Sequence, residues 1–185
     1  MKSGRPPAWN PVATLASSTW TEVVALTSKS RLLLPAAARV RLSWSQNDRP
    51  VELLARVEPG SYAELVPWEP VGDVIMRGLA ELLAGEAEPD RSRVALIAMD
   101  RYLRLTLGPD GRMSLPANLA HHLDAVSLDA VRLVIDNGRL LLWSERAWQN
   151  SRSSRLESVV MKLRTIEATA AQGMTSNLNE PGKPY

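Results

Sequence analysis

The sequence predicts a mainly β fold with short helices (α+β), made of two tandem copies of one small unit and a C-terminal helix. Three observations carry this. Short runs rich in β-branched and aromatic residues recur between turn signals. An order of turn, arginine-led strand, Leu-Pro, short helix and hairpin begins at Ser30–Pro35 and begins again 81 residues later at Gly111–Pro116. A stretch near the C-terminus carries its apolar residues at helical rather than strand spacing.

Residues 1–18, rich in Pro, Ser and Ala without periodicity, are expected to be a flexible arm. The first unit then runs over 19–84. "TWTEVVAL" (19–26) reads as a strand and "SRLLLP" (30–35) as a second short one, with Pro35 placed to occupy the first helical position of "PAAARVRL". "RPVELLARV" (49–57), the "EPG" turn and "YAELVPW" form a hairpin, and "VGDVIMRGLAELLAG" (71–85) is a helix stopped by Gly85. Residues 85–92 are expected to be a linker. The second unit, 93–150, opens with a strand or pair of strands over "RVALIAMDRYLRLTL" (93–107). After it come the "GPDG" turn, the "RMSLP" strand and the short helix "PANLAHHL". "AVRLVID", the Asn137-Gly138 turn and "RLLLW" make its hairpin, and "SERAWQN" a helical turn capped by Ser144.

The duplication organises everything else. Aligning 25–42 with 106–123 pairs Arg31 with Arg112, Leu34-Pro35-Ala36 with Leu115-Pro116-Ala117, and Leu42 with Leu123; further on, Trp68 is set against Trp143. A unit of this size has little core of its own, so it should pair with its duplicate or with another chain. Residues 151–172 form the C-terminal helix, with Leu156, Val159, Val160, Leu163 and Ile166 on one stripe. That stripe suits packing on the body or a short coiled coil with another subunit, and its five residues are the oligomerisation candidates. A disordered tail, 173–185, is expected to follow.

Composition narrows the function classes. The chain has 185 residues, 45% of them apolar, no cysteine and a net charge of +2. Disulfides, thiolate metal sites and cysteine nucleophiles are therefore excluded. No apolar run has the length of a membrane helix, so a cytoplasmic protein is expected. The cations are clustered: from Val23 to Trp44 there is no acid, while Lys29, Arg31, Arg39 and Arg41 are all present. From Arg146 to Arg164 Glu157 is the single acid among five cations. Such local basic stretches fit contact with nucleic acid, and solvated faces can look alike. Arginine at the exit of a turn suits the first reading, because its planar fork donates paired hydrogen bonds to phosphate or guanine.

The "GRMSLPANLAHHL" segment and its partner "SRLLLPAAARVRL" resemble the SpoVT/AbrB swapped-hairpin family, and two such units in one chain resemble its MraZ-type branch. The resemblance covers roughly 20–150 and includes a tryptophan ending the last strand, Trp143, with a second, Trp148, in the helical turn after it. It implies two tandem AbrB-like units forming a swapped-hairpin body. It further implies sequence-specific binding of double-stranded DNA by a homo-oligomeric, nucleoid-associated transcriptional regulator. Carried over by position, the DNA-binding residues are Arg31 and Arg112, with Arg39 four residues after Pro35 and with Lys29 and Arg41 as basic neighbours. The chain departs from the family pattern in having Ala120 where the second copy should carry arginine, and Thr27 and Gly108 where MraZ-type proteins tend to carry aspartate.

Two other readings accompany this one. An antitoxin of the AbrB type would use the C-terminal segment (151–185) to hold a toxin, and an assembly protein would keep the fold without binding DNA. Enzymatic activity is not expected, since no nucleophile motif, phosphate-cradling glycine loop or metal-binding helix signature is present. Neither a metal nor a cofactor is expected. The adjacent His121 and His122 point in different directions and lack a third ligand nearby.

Overall fold

The computed structural model describes residues 19–46, 48–125 and 130–177, with side chains through residue 170. The expected arm and the last residues of the expected tail lie outside the described residues. The chain divides into a β-rich body ending at Ala147 and a helical unit that begins at Trp148.

The body is an eight-stranded antiparallel sheet with several helices, an α+β protein. Its strands are β1 (Thr19–Ala25), β2 (Arg31–Leu33), β3 (Val51–Glu58), β4 (Tyr62–Pro67), β5 (Tyr102–Leu107), β6 (Arg112–Ser114), β7 (Ala130–Asp136) and β8 (Arg139–Ser144). They lie in the order β1-β7-β8-β4-β3-β5-β6-β2. The two strands at the ends of this order are consecutive in sequence. The turn between them is tied by Thr27 N–H donating to Arg31 O at 3.0 Å, so the sheet is nearly closed on itself. Alternation along the strands gives this sheet a buried face: β8, "RLLLWS", turns Leu140, Leu142 and Ser144 inward and buries all three. Leu32, Leu53, Leu65, Met113, Leu133 and Ile135 fill the same interior, each no more than 1% exposed.

The pairing is reciprocal between the two expected copies. β1 of the first copy runs along β7 of the second, and β5 of the second runs along β3 of the first. β2 pairs with its counterpart β6, and β4 with its counterpart β8. The connecting hydrogen bonds repeat as well. Leu34 N–H donates to Gly111 O at 2.8 Å and Leu115 N–H to Ser30 O at 2.9 Å, while Thr27–Arg31 has its match in Gly108–Arg112 at 2.8 Å. Strands from the two halves of the chain therefore complete one sheet, which answers the shortage of core in a unit of that size.

Short helices follow each Leu-Pro: α1 (Ala36–Arg39) and, in the second copy, α4 (Ala117–His122). Pro35 occupies the N-cap, one residue ahead of the first helical position expected for it, and Pro116 does the same in α4. Leu119 and Ala38 are fully buried in the main apolar core, so both helices pack onto the body. His122 Nε2 lies 3.0 Å from Glu58 O, a structural use of that histidine.

Between the copies stand α2 (Val71–Gly85) and α3 (Asp90–Arg101). α2 has the bounds expected from the sequence. Gly72 is required at its start, because a Cβ there would overlap the Trp68 ring, which also donates from Nε1 to Asp73 at 2.9 Å. α3 corrects two expectations: residues 93–101 are helix rather than strand, and the expected linker 85–92 already turns helical at Asp90. The run "VALIAM" has no period by itself. Its end signals decide: Asp90 in the first turn bridges Arg93 at 3.3 Å, and Arg91 donates to Leu83 O and Glu86 O at 2.9 and 2.8 Å, closing the end of α2.

Asn137 and Gly138, both at positive φ (50° and 76°), make the two-residue turn of the second hairpin. Trp143 lies opposite Tyr62 across β8 and β4, their rings stacked 4.3 Å apart at 13°. Trp68 lies beyond the end of β4 whereas Trp143 lies within β8, so the expected equivalence of these two tryptophans does not hold. Ser144 Oγ accepts from Ala147 N–H at 3.2 Å and caps α5 (Glu145–Asn150). In the helical unit, α6 spans Arg152–Asn177, longer than the expected 151–172 and reaching into the segment expected to be tail. No helix of the described residues is long and apolar enough to cross a membrane.

Candidate nucleic-acid interface

The two motif arginines, far apart in sequence, meet on one short ribbon. β2 and β6 pair antiparallel with Arg31 opposite Ser114, Leu32 opposite Met113 and Leu33 opposite Arg112. Strand alternation sends Leu32 and Met113 into the core, each 1% exposed, and therefore turns Arg31, Leu33, Arg112 and Ser114 outward on a common face. Arg31 and Arg112 are diagonal neighbours there, at a separation of about 7–8 Å between such positions.

The turns that lead into the ribbon place further groups beside it. In the first copy the run is Thr27-Ser28-Lys29-Ser30-Arg31, and in the second it is Gly108-Pro109-Asp110-Gly111-Arg112. The turn glycine matters here. Gly111 has φ +84°, and a Cβ on it would stand 3.0 Å from Leu34 O and 3.3 Å from Arg39 Cδ. Ser30, its counterpart, takes the same left-handed backbone at φ 50° without being glycine.

The charge balance differs sharply between the two ends. Lys29 of the first turn corresponds to Asp110 of the second. Asp110 bridges Arg112 at 3.0 Å and accepts from its backbone N–H at 3.1 Å, so the second end is locally neutralised. The Lys29 and Arg31 side chains have no ion pair or hydrogen bond among the described residues. A shallow cleft of about 460 Å³ runs along this end, lined by Thr27, Ser28, Lys29, Arg31, Leu33 and Arg112. A second cleft of about 430 Å³ is lined by residues of β5 and β6 and also by Arg31 and Arg112, so these two arginines border both clefts.

Three of the five expected DNA-binding residues, Lys29, Arg31 and Arg112, come together in this way. Arg39 is used differently: its guanidinium donates to Pro109 O at 2.9 Å and so pins the turn of the opposite copy. Arg41 turns back on its own helix and donates to Ala37 O at 2.6 Å. Arg104 was not anticipated. It lines the second cleft, pairs with Glu52 at 3.0 Å and lies 4.6 Å over the Trp68 ring. The signal available for it was alternation along "RYLRLTL", which places Arg104 and Thr106 on the outward side of β5.

Away from the ribbon, Arg101 is held above the usual arginine value, chiefly by Tyr102 and then by Glu58 against the opposing effect of burial. It stays cationic at any working pH and ties α3 to the end of β3 at 2.9 Å from Glu58. No group of three His, Cys, Asp or Glu among the described residues is placed to hold a metal ion. No family model matches this chain, and no curated protein matches it.

Proposed function

We propose that the chain is a sequence-specific, double-stranded DNA-binding transcriptional regulator of the SpoVT/AbrB type, its two copies acting as one tandem swapped-hairpin body in the cytoplasm. The observation that supports this most is the convergence of Arg31, Arg112 and Lys29 on one outward ribbon. A two-stranded ribbon fits the major groove, where an arginine fork can reach guanine, while lysine and further arginines meet the flanking phosphates. Arg31 and Lys29 are the leading contacts. Arg112 contributes less while Asp110 holds it, Arg104 is a flanking phosphate contact, and Arg39 and Arg41 act mainly in shaping the turns.

The test is fluorescence anisotropy on duplex DNA between about 50 and 200 mM salt, where phosphate contacts give a steep fall in affinity. The wild-type chain is expected to bind with such a slope and Arg31→Ala to weaken it. Absence of binding at low salt overturns the proposal. It would favour instead the assembly-protein reading, to which the Asp110–Arg112 pair already lends some support.

A further inference from the structure

Helix α6 sets four of its large apolar residues in a 3-4-3 order, Leu156, Val159, Leu163 and Ile166, with Ala170 next in the series, while Met161, 68% exposed, lies on the opposite face. In a heptad frame Leu156, Leu163 and Ala170 are a positions, and Val159 and Ile166 are d positions. The four large side chains are exposed, from 42% at Val159 to 66% at Ile166, and Val160 lies beside them at e. A seam of this kind has the pattern that a partner helix covers in a coiled coil.

Residue type and charge say what fills it. Parallel dimers favour β-branched residues at a and leucine at d. Here the order is reversed, leucine at a and Val or Ile at d, which shifts coiled coils to more strands. In a four-stranded bundle the d knobs sit in holes that suit the stiff, branched side chains. Val160 widens the apolar stripe on one side, as a helix that touches two neighbours requires.

The g and e positions set direction. Of the g residues, Arg155 is already engaged. It lies 3.8 Å over the Trp148 ring, donates to Trp148 O at 2.8 Å and bonds Ser151 Oγ. Lys162 at g and Glu167 at e have no ion pair among the described residues. In a parallel assembly g faces the e position five residues on in the next helix, so Lys162 meets Glu167 of its neighbour at every interface. Antiparallel packing sets g against g and brings Lys162 toward a like charge.

We infer that four copies of this chain assemble through α6 as a parallel four-stranded coiled coil. The inference does not depend on DNA binding. Sedimentation equilibrium of the full chain tests it, with the expected result a mass four times the 20.3 kDa of the monomer. Leu163→Asp should dissociate it while the β-sheet signal in circular dichroism persists. Lys162→Glu and Glu167→Lys should each weaken assembly at least tenfold, and the double reversal should restore it. Direction is read with Ala170→Cys, in a chain that has no cysteine of its own. Oxidation should yield cross-linked pairs on a denaturing gel. Any other mass, a tetramer indifferent to Leu163→Asp, or no cross-link in a tetramer overturns the inference.

Discussion

Arg31 and Arg112 stand diagonally on one ribbon face, Arg31 opposite Ser114 and Arg112 opposite Leu33, although they begin strands in different copies of the repeat. The relationship is symmetric in backbone and asymmetric in charge. Lys29 flanks the first arginine, while Asp110 binds the second.

From that asymmetry, Arg31→Ala should lower affinity for duplex DNA by at least about 1 kcal/mol and reduce the salt slope by about 1 if a phosphate contact is lost. Arg112→Ala should lose less. Anisotropy titrations at several salt concentrations read both, and equal losses would argue that Asp110 does not restrain Arg112.

Asp110→Asn is the converse test. The amide keeps an acceptor for the Arg112 backbone N–H but releases its guanidinium. DNA binding should tighten by about 0.5–1 kcal/mol at low salt, the gain shrinking as salt rises. Folding stability should barely change, since both partners are solvent-exposed.

Turn chemistry gives a stability prediction. Gly111→Ala forces a side chain onto a left-handed residue 3.0 Å from Leu34 O and should destabilise by about 1–3 kcal/mol. Ser30→Gly relieves the same backbone strain in the other copy and should be neutral or stabilising by up to about 1 kcal/mol. Urea midpoints of the two variants should move in opposite directions or, for Ser30→Gly, not at all.

Arg39→Ala distinguishes a structural arginine from a DNA contact. Loss of its bond to Pro109 O should lower stability by about 1 kcal/mol even without DNA. A variant with unchanged stability and impaired binding would return Arg39 to the interface.

The reciprocal pairing of the copies predicts one unfolding event for the whole body. Leu53→Ala on β3 and Leu133→Ala on β7, both at fully buried positions, should each cost about 2–5 kcal/mol. Tryptophan fluorescence and far-ultraviolet circular dichroism should still report a single shared transition. Two transitions would mean that each copy holds structure alone.

Much of this architecture was legible in the residues. The Arg-led strands, the Leu-Pro stops, the hairpin at Asn137-Gly138 and the bounds of α2 follow from local chemistry. The strand expected over 93–101 failed because "VALIAM" lacks a period and Asp90, which starts the helix, sat inside what composition marked as linker. Arg39 was legible as basic but not as a clamp, since its acceptor, Pro109 O, is 70 residues distant. Arg104 was hidden for a similar reason: its role depends on β5 lying between β3 and β6. Spacing within one segment carries turns and helices, whereas strand order carries the site.

Strands from both halves of one chain build the ribbon, and this decides how its two ends can differ. Two separate chains building such a body would display every substitution twice, once at each end of the ribbon. Here one chain supplies both ends, linked through α2 and α3, so each end can carry its own residues. Thr27-Ser28-Lys29 against Gly108-Pro109-Asp110 shows that difference: one backbone course at both ends, with a lysine at one and an arginine paired to Asp110 at the other.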